Sequence, residues 1–335
     1  MMFWIFNYSP IADIEETMVR TLGYFLICVL LFAEIGVADV CAAPAPYSSE
    51  AHCGANAPRP DRGGALREQI VNTPAGSIGY YRFGSGSPIV LITGYRARMA
   101  EWNAYFLGEL AKYHDVVVFD NRGIGRSETA STSYRINDLA DDAAALIEAL
   151  NLTGATVVGW SMGGMIAQQL VVDHPGLVGK LVLIGSMPPG RQSVSASAQV
   201  ERILSGGGGG QFNKIMSVLF PVEAVQEAQK CFASGMFSPD SYARPRIPNS
   251  VAQAQRILIK YWKLDDNILE RLRSVGVPVL VLTGTEDKVV PPINSILLSK
   301  ILLHAKLVEI ERGGHAVMYQ YPREVARYID LFDAR

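Results

Sequence analysis

Residues 157–164 read Val-Val-Gly-Trp-Ser-Met-Gly-Gly, and this run restricts the fold more than any other part of the chain. It joins a β-branched segment at 155–158 to an apolar, helix-like segment from Met162 to Val172. A serine held at a sharp strand-to-helix turn needs a strained backbone, and bulk two residues away on either side would block it. Gly159 and Gly163 remove that bulk around Ser161. The turn also sets Ser161 at a helix N-terminus, where free amides and the helix dipole favour a developing negative charge. The pattern predicts a buried strand that ends in a nucleophile-bearing turn.

The surrounding sequence repeats that strand–helix rhythm. Gln69–Asn72 and Ile78–Phe83 read as two antiparallel edge strands joined by a turn at Pro74-Ala75-Gly76. Pro88–Thr93 and Asp115–Phe119 are continuous apolar runs, as expected of strands buried on both faces. A helix is predicted over 98–112 between them. Ile136–Leu150 carries Leu139, Ala143, Leu146, Ile147 and Leu150 on one helical face, with Asn137 as the expected N-cap. Further strands are predicted at Lys180–Ile184, Pro278–Thr283 and Lys306–Ile310, with a final helix from Arg323 to Phe332. Such alternation implies an α/β fold: a mostly parallel twisted sheet with helices on both faces. Residues 187–272 break the rhythm with prolines, amphipathic pieces and the pentaglycine Gly206–Gly210, and read as a helical cap insertion. No Lys-Ser or Lys-Thr follows the glycines, so they are read as a flexible connection and not a phosphate loop.

The N-terminus carries a different signal. Leu22–Ala33 is an apolar run preceded by Arg20 and followed by the small residues Val40-Cys41-Ala42-Ala43. This pattern predicts a signal peptide or N-terminal anchor over 1–42, followed by a linker over 43–66 and the main domain over 67–335. The run is short for a membrane span. An exported protein, secreted or periplasmic, is expected, with membrane contact only through an uncleaved N-terminal segment. That compartment permits a disulfide between Cys53 and Cys231. A formal charge of -2 and the absence of any basic run argue against nucleic acid as a partner. The five histidines lack metal-ligand spacing, so no metal and no cofactor are expected.

A serine hydroxyl is a weak nucleophile near neutral pH and needs a base, and the base an orienting carboxylate. Behind the strand at 278–283 lies Gly284-Thr285-Glu286-Asp287-Lys288-Val289-Val290-Pro291, and behind the strand at 306–310 lies Glu311-Arg312-Gly313-Gly314-His315-Ala316. Asp287 and His315 thus fall at the sheet edge where open α/β sheets hold their ligands.

In these motifs the chain resembles the α/β-hydrolase superfamily, from about residue 67 to its end. The likeness rests on Gly-Trp-Ser-Met-Gly-Gly at 159–164, Phe-Asp-Asn-Arg-Gly-Ile-Gly-Arg-Ser at 119–127, the acid loop at 284–291 and Gly-Gly-His-Ala at 313–316. The resemblance implies Ser161 as nucleophile, His315 as base and Asp287 as orienting acid. Asp287 is preferred to Glu286 by its place between the glycine and the proline. Some relatives carry the acid after the strand following the nucleophile, but Gly185-Ser186-Met187-Pro188 holds no carboxylate. Many members have His-Gly where this chain has Thr93-Gly94-Tyr95; the oxyanion donors implied are the backbone amides of Tyr95 and Met162. Asp120 and Arg122 read as a structural turn pair. The expected function is a serine hydrolase acting on a small-molecule carboxylic ester or lactone, similar to esterases, enol-lactonases and cofactor-free haloperoxidase-like hydrolases. Carbon–carbon bond hydrolysis, proline iminopeptidase activity and a non-catalytic binding role on the same fold are the alternatives.

Overall fold

The computed structural model describes residues 58–334, apart from 65, 129, 130, 132 and 207–209. All of them belong to one of two compact units, Ser48–Arg335. The predicted signal or anchor over 1–42, the linker up to 57 and Cys53 lie outside the described residues.

Eight strands form one sheet in the order β1-β2-β4-β3-β5-β6-β7-β8. They are β1 (Gln69–Thr73), β2 (Gly76–Gly84), β3 (Ser87–Ile92), β4 (His114–Phe119), β5 (Ala155–Trp160), β6 (Val178–Ile184), β7 (Val279–Gly284) and β8 (Ala305–Ile310). β1 pairs antiparallel with β2, and β2 antiparallel with β4; every other pairing is parallel. Only β1 of the first hairpin is therefore an edge. β2 is flanked on both sides, which suits the buried Tyr80, Tyr81 and Phe83. The predicted strand runs of 88–93, 115–119, 155–158, 180–184, 278–283 and 306–310 all fall on observed strands. Ile89–Ile92, Val116–Val118 and Val279–Leu282 are almost wholly buried, as strands covered on both faces must be.

The helices that cover the sheet are α1 (Ala104–Leu110), α2 (Ile136–Ala149), α3 (Met162–Asp173), α9 (Ile293–Ile301), α10 (Val317–Gln320) and α11 (Pro322–Asp333), with the numbers between assigned to the cap below. Two local expectations are corrected. The helix predicted over 98–112 is split: a 3-10 turn at Met99–Glu101 ends at Trp102, and α1 restarts on Asn103, whose side chain accepts the amides of Tyr105 and Phe106. The N-cap of α2 is Arg135 and not Asn137; the Asp138 carboxylate accepts the Arg135 amide at 2.6 Å.

Between β6 and β7 the chain forms the helical cap, with α4 (Ala198–Ser205), α5 (Gln211–Leu219), α6 (Val225–Gly235), α7 (Asn249–Trp262) and α8 (Asp266–Leu272). Of the stretch expected to be a linker, residues 58–61 are fixed to the domain. The Asp61 carboxylate accepts Arg59 Nε at 3.0 Å and Nη2 at 2.7 Å, and also the Ser238 amide at 2.7 Å. Arg59 Nη2 reaches on to Met236 O at 2.9 Å. The Pro58 carbonyl lies so close to Gly108 that a Cβ there would stand 1.9 Å from it. Cys231, on α6, is disulfide-bonded; among the described residues it is the one cysteine, so its partner lies outside them.

Candidate active site

The elbow at Ser161 is built from backbone contacts that admit no side chain. Ser161 stands at φ 59°, ψ -120°, directly between β5 and α3. A Cβ on Gly159 would meet Gly163 O at 2.4 Å, and one on Gly163 would meet Ile92 O at 2.1 Å. Gly164, just beyond, is equally confined, with Ser186 Cβ 2.5 Å from its missing Cβ. The left-handed serine is a strained conformation that surrounding structure must hold. Two hydrogen bonds do so: the Ser161 amide donates to Ile184 O at 2.9 Å, and Ser186 Oγ donates to Ser161 O at 2.9 Å.

Neighbouring strands bring the other groups to the same edge. β3 runs beside β5 with Ile92 opposite Gly159, so the Thr93-Gly94-Tyr95 turn emerges against Ser161. A Cβ on Gly94 would lie 3.1 Å from Ser161 Cβ. The amides of Tyr95 and Met162 find no acceptor among the described residues. The Met162 amide is a first-turn donor of α3, of the kind that caps or ligands satisfy. Thr93 is wholly buried. Its Oγ1 donates to Ala97 O at 3.3 Å and accepts from Asn121 Nδ2 at 3.3 Å, so local hydrogen bonding of the turn is intact.

β7 and β8 pair through to Gly284 and Ile310, which sets their following loops side by side. The Glu286 amide donates to Gly313 O at 2.8 Å. His315 Nδ1 stands 2.8 Å from Asp287 Oδ2, with both side chains almost fully buried. The other carboxylate oxygen, Oδ1, accepts the amides of Val289 and Val290, each at 2.8 Å. With both oxygens engaged, the carboxyl group is held in place and can orient an imidazole. Trp160 Nε1 donates to His315 O at 3.0 Å, and its ring centroid lies 5.6 Å from the imidazole. Ser161 Oγ makes no hydrogen bond among the described residues, a looser arrangement often seen before substrate binds.

Sequence reasoning missed Gly185. Its φ is 51°, and a Cβ there would lie 3.1 Å from Asp287 Oδ2 and 3.2 Å from His315 Nδ1. The loop after β6 thus supplies the space in which the Asp–His pair sits. The sequence Gly185-Ser186 shows only the lack of a carboxylate, whereas the missing side chain of Gly185 is the feature that matters. Asp120 and Arg122 are structural but not a pair. Asp120 accepts the Met99 amide at 2.7 Å and the Tyr242 hydroxyl at 2.8 Å. Arg122 instead grips Asp142 through Nε at 2.6 Å and Nη2 at 2.7 Å. His114 is a packing residue, held by Ser87 and Asp330 at 2.9 Å each. Among the described residues no group of three or more His, Cys, Asp or Glu is placed to hold a metal ion.

The fold has known counterparts. A family model described as the alpha/beta hydrolase fold matches residues 87–322. The non-heme chloroperoxidase of Streptomyces lividans is 29% identical over 264 residues, covering 71% of this chain and 88% of that protein. A solved structure titled "Est816 as an N-Acyl homoserine lactone degrading enzyme" is 27% identical, with a TM-score of 0.63 over 79% of this chain and 100% of that one. The esterase RhEst1 from Rhodococcus sp. ECU1013 is 24% identical, with a TM-score of 0.64 over 81% of this chain and 98% of that one.

Proposed function

We propose, for a chain that belongs to the α/β-hydrolase family, that this enzyme cleaves a small-molecule carboxylic ester or lactone through an acyl-Ser161 intermediate. The observation that carries the reading is the buried 2.8 Å contact of His315 Nδ1 with Asp287, beside a serine on a left-handed elbow. His315 Nε2 takes the proton of Ser161 Oγ as that oxygen attacks the substrate carbonyl carbon. The resulting oxyanion is met by the amides of Tyr95 and Met162, a kind of contact worth about 2.7–4 kcal/mol per donor. When the carbon–oxygen bond to the leaving group breaks, His315 returns its proton to that oxygen. Water, deprotonated by His315, then attacks the acyl carbon; the bond to Ser161 Oγ breaks, and His315 gives that proton to the departing Oγ. Asp287 keeps the imidazole in the tautomer that this cycle needs. The lactone half of the proposal is supported by the likeness to Est816, described as an N-acyl homoserine lactone degrading enzyme.

A serine-directed fluorophosphonate is expected to label the wild-type protein covalently, and Ser161→Ala to abolish the label. A folded wild-type protein that takes no label overturns the reading. A panel of acyl esters of graded chain length and several lactones then identifies the substrate class.

We also propose that the protein works in an oxidising, exported compartment. The disulfide at Cys231 supports this, since such bonds persist outside reducing cytosol. The alkylation state of Cys231 tests it. No helix among the described residues is long and apolar enough to cross a membrane; the apolar run at 22–33 lies outside them.

A further inference from the structure

Gly94–Ala97 form a tight turn, closed by the Ala97 amide donating to Gly94 O at 3.3 Å. Its third residue, Arg96, stands at φ 52°. That position of a type II turn belongs by preference to glycine or asparagine, because a side chain there is strained. Rotating the central peptide, between Tyr95 and Arg96, by half a turn converts the geometry to the commoner type I and releases the strain. The Arg96 amide is the N–H of that central peptide, and it donates to Gln255 Oε1 at 2.9 Å. Gln255 comes from α7 of the cap and is wholly buried, while its Nε2 has no hydrogen-bond partner. A buried amide left half-satisfied costs stability, so packing alone gives no reason for a glutamine at this place. The central peptide and the one carrying the Tyr95 amide share the Tyr95 Cα. A swing at one end leaves the oxyanion donor unheld at the other.

We propose that Gln255 is a positioning residue for the reaction: from the cap, it holds the Gly94–Ala97 turn in the strained form that aims the Tyr95 amide at the oxyanion. This inference rests on the serine-hydrolase reading above. It implies that α7 acts on the reaction rate as well as covering the site, because the turn is complete only when the cap is seated.

The test is a double-mutant cycle read by the second-order rate of fluorophosphonate labelling at Ser161. Gln255→Met keeps the volume and removes both polar atoms. With Arg96 present, it is expected to slow labelling about tenfold, the scale on which strained turns and misplaced donors act. With Arg96→Gly in place, the left-handed position costs nothing, and the same Gln255→Met change is expected to slow labelling less than about threefold. A role confined to packing within α7 is not rescued by relieving backbone strain at position 96. If the Met variant does not fold, Gln255→Asn, one methylene short of the Arg96 amide, gives the same comparison. Equal losses in both backgrounds, or no loss with Arg96 present, overturn the inference alone. Wild-type protein that takes no label overturns the serine-hydrolase reading and this inference with it.

Discussion

At the scale of single residues, the two carboxylates of the acid loop differ in everything but sequence position. Asp287 is buried and spends both oxygens, Oδ2 on His315 and Oδ1 on the amides of Val289 and Val290. Glu286 is half-exposed, and its side chain makes no hydrogen bond among the described residues. Asp287→Asn presents an amide that favours the wrong imidazole tautomer, and turnover is expected to fall by about 10³–10⁴-fold. Glu286→Gln is expected to stay within about threefold, as surface changes away from such networks do. Steady-state kinetics of both variants on one activated ester decides the matter, and the reverse order relocates the acid. The close approaches at the elbow glycines and the contact of Asp287 with His315 were legible in the sequence, because a tight backbone turn and an acid–imidazole pair each favour one residue type at one spacing. Gln255 and Gly185 were not. Their roles depend on which loop lies across from them in space, and no local spacing encodes that.

At the scale of elements, the turn after β4 ties the sheet to the cap through Asp120. Burial pushes its pKa up to about 7, with Glu101 and Glu68 adding to the rise. The Met99 amide and the Tyr242 hydroxyl favour the ionised form but do not offset the desolvation. An unfolded aspartate titrates near ~3.9. Between the two values the native state keeps a proton that the unfolded chain has lost. The contribution of Asp120 to stability therefore declines as pH rises from about 4 to about 7, and is level above that. Asp120→Asn removes this decline. The Tm of the variant relative to wild type is expected to rise across that window, and a constant difference means that Asp120 is ionised throughout it. The strand positions were largely predictable, since continuous apolar runs mark strands covered on both faces. Helix starts were less so. Asn103 caps α1 inside a segment whose apolar pattern continues through it, and Asp138 serves Arg135 where Asn137 was the residue of usual capping type.

At the scale of the whole molecule, the cap is held at several separate places. Arg59 and Asp61 form a buried pair that also binds Ser238 and Met236 in the chain after α6. Trp262 Nε1 donates to Met187 O at 3.3 Å, near the beginning of the insertion. Cys231, on α6, is disulfide-bonded. In protein recovered without reductant, Cys231 is expected to resist alkylation until it is reduced, as read by mass spectrometry. Reduction is then expected to lower the Tm, since losing a native disulfide commonly costs about 2–5 kcal/mol. A Cys231 that alkylates freely in the native protein moves the enzyme to a reducing compartment.

The hydrogen bond from the Arg96 amide to Gln255 bears on how such a molecule can be re-engineered. Exchanging the 187–272 segment for that of a relative is the obvious route to a new specificity, with the sheet and its three loops left as a common chassis. In this chain the transplant is not modular. An imported cap arrives without its own acceptor for the turn unless the donor helix carries one in the same register. A graft that fits in every other respect then inherits a good pocket over a slow engine.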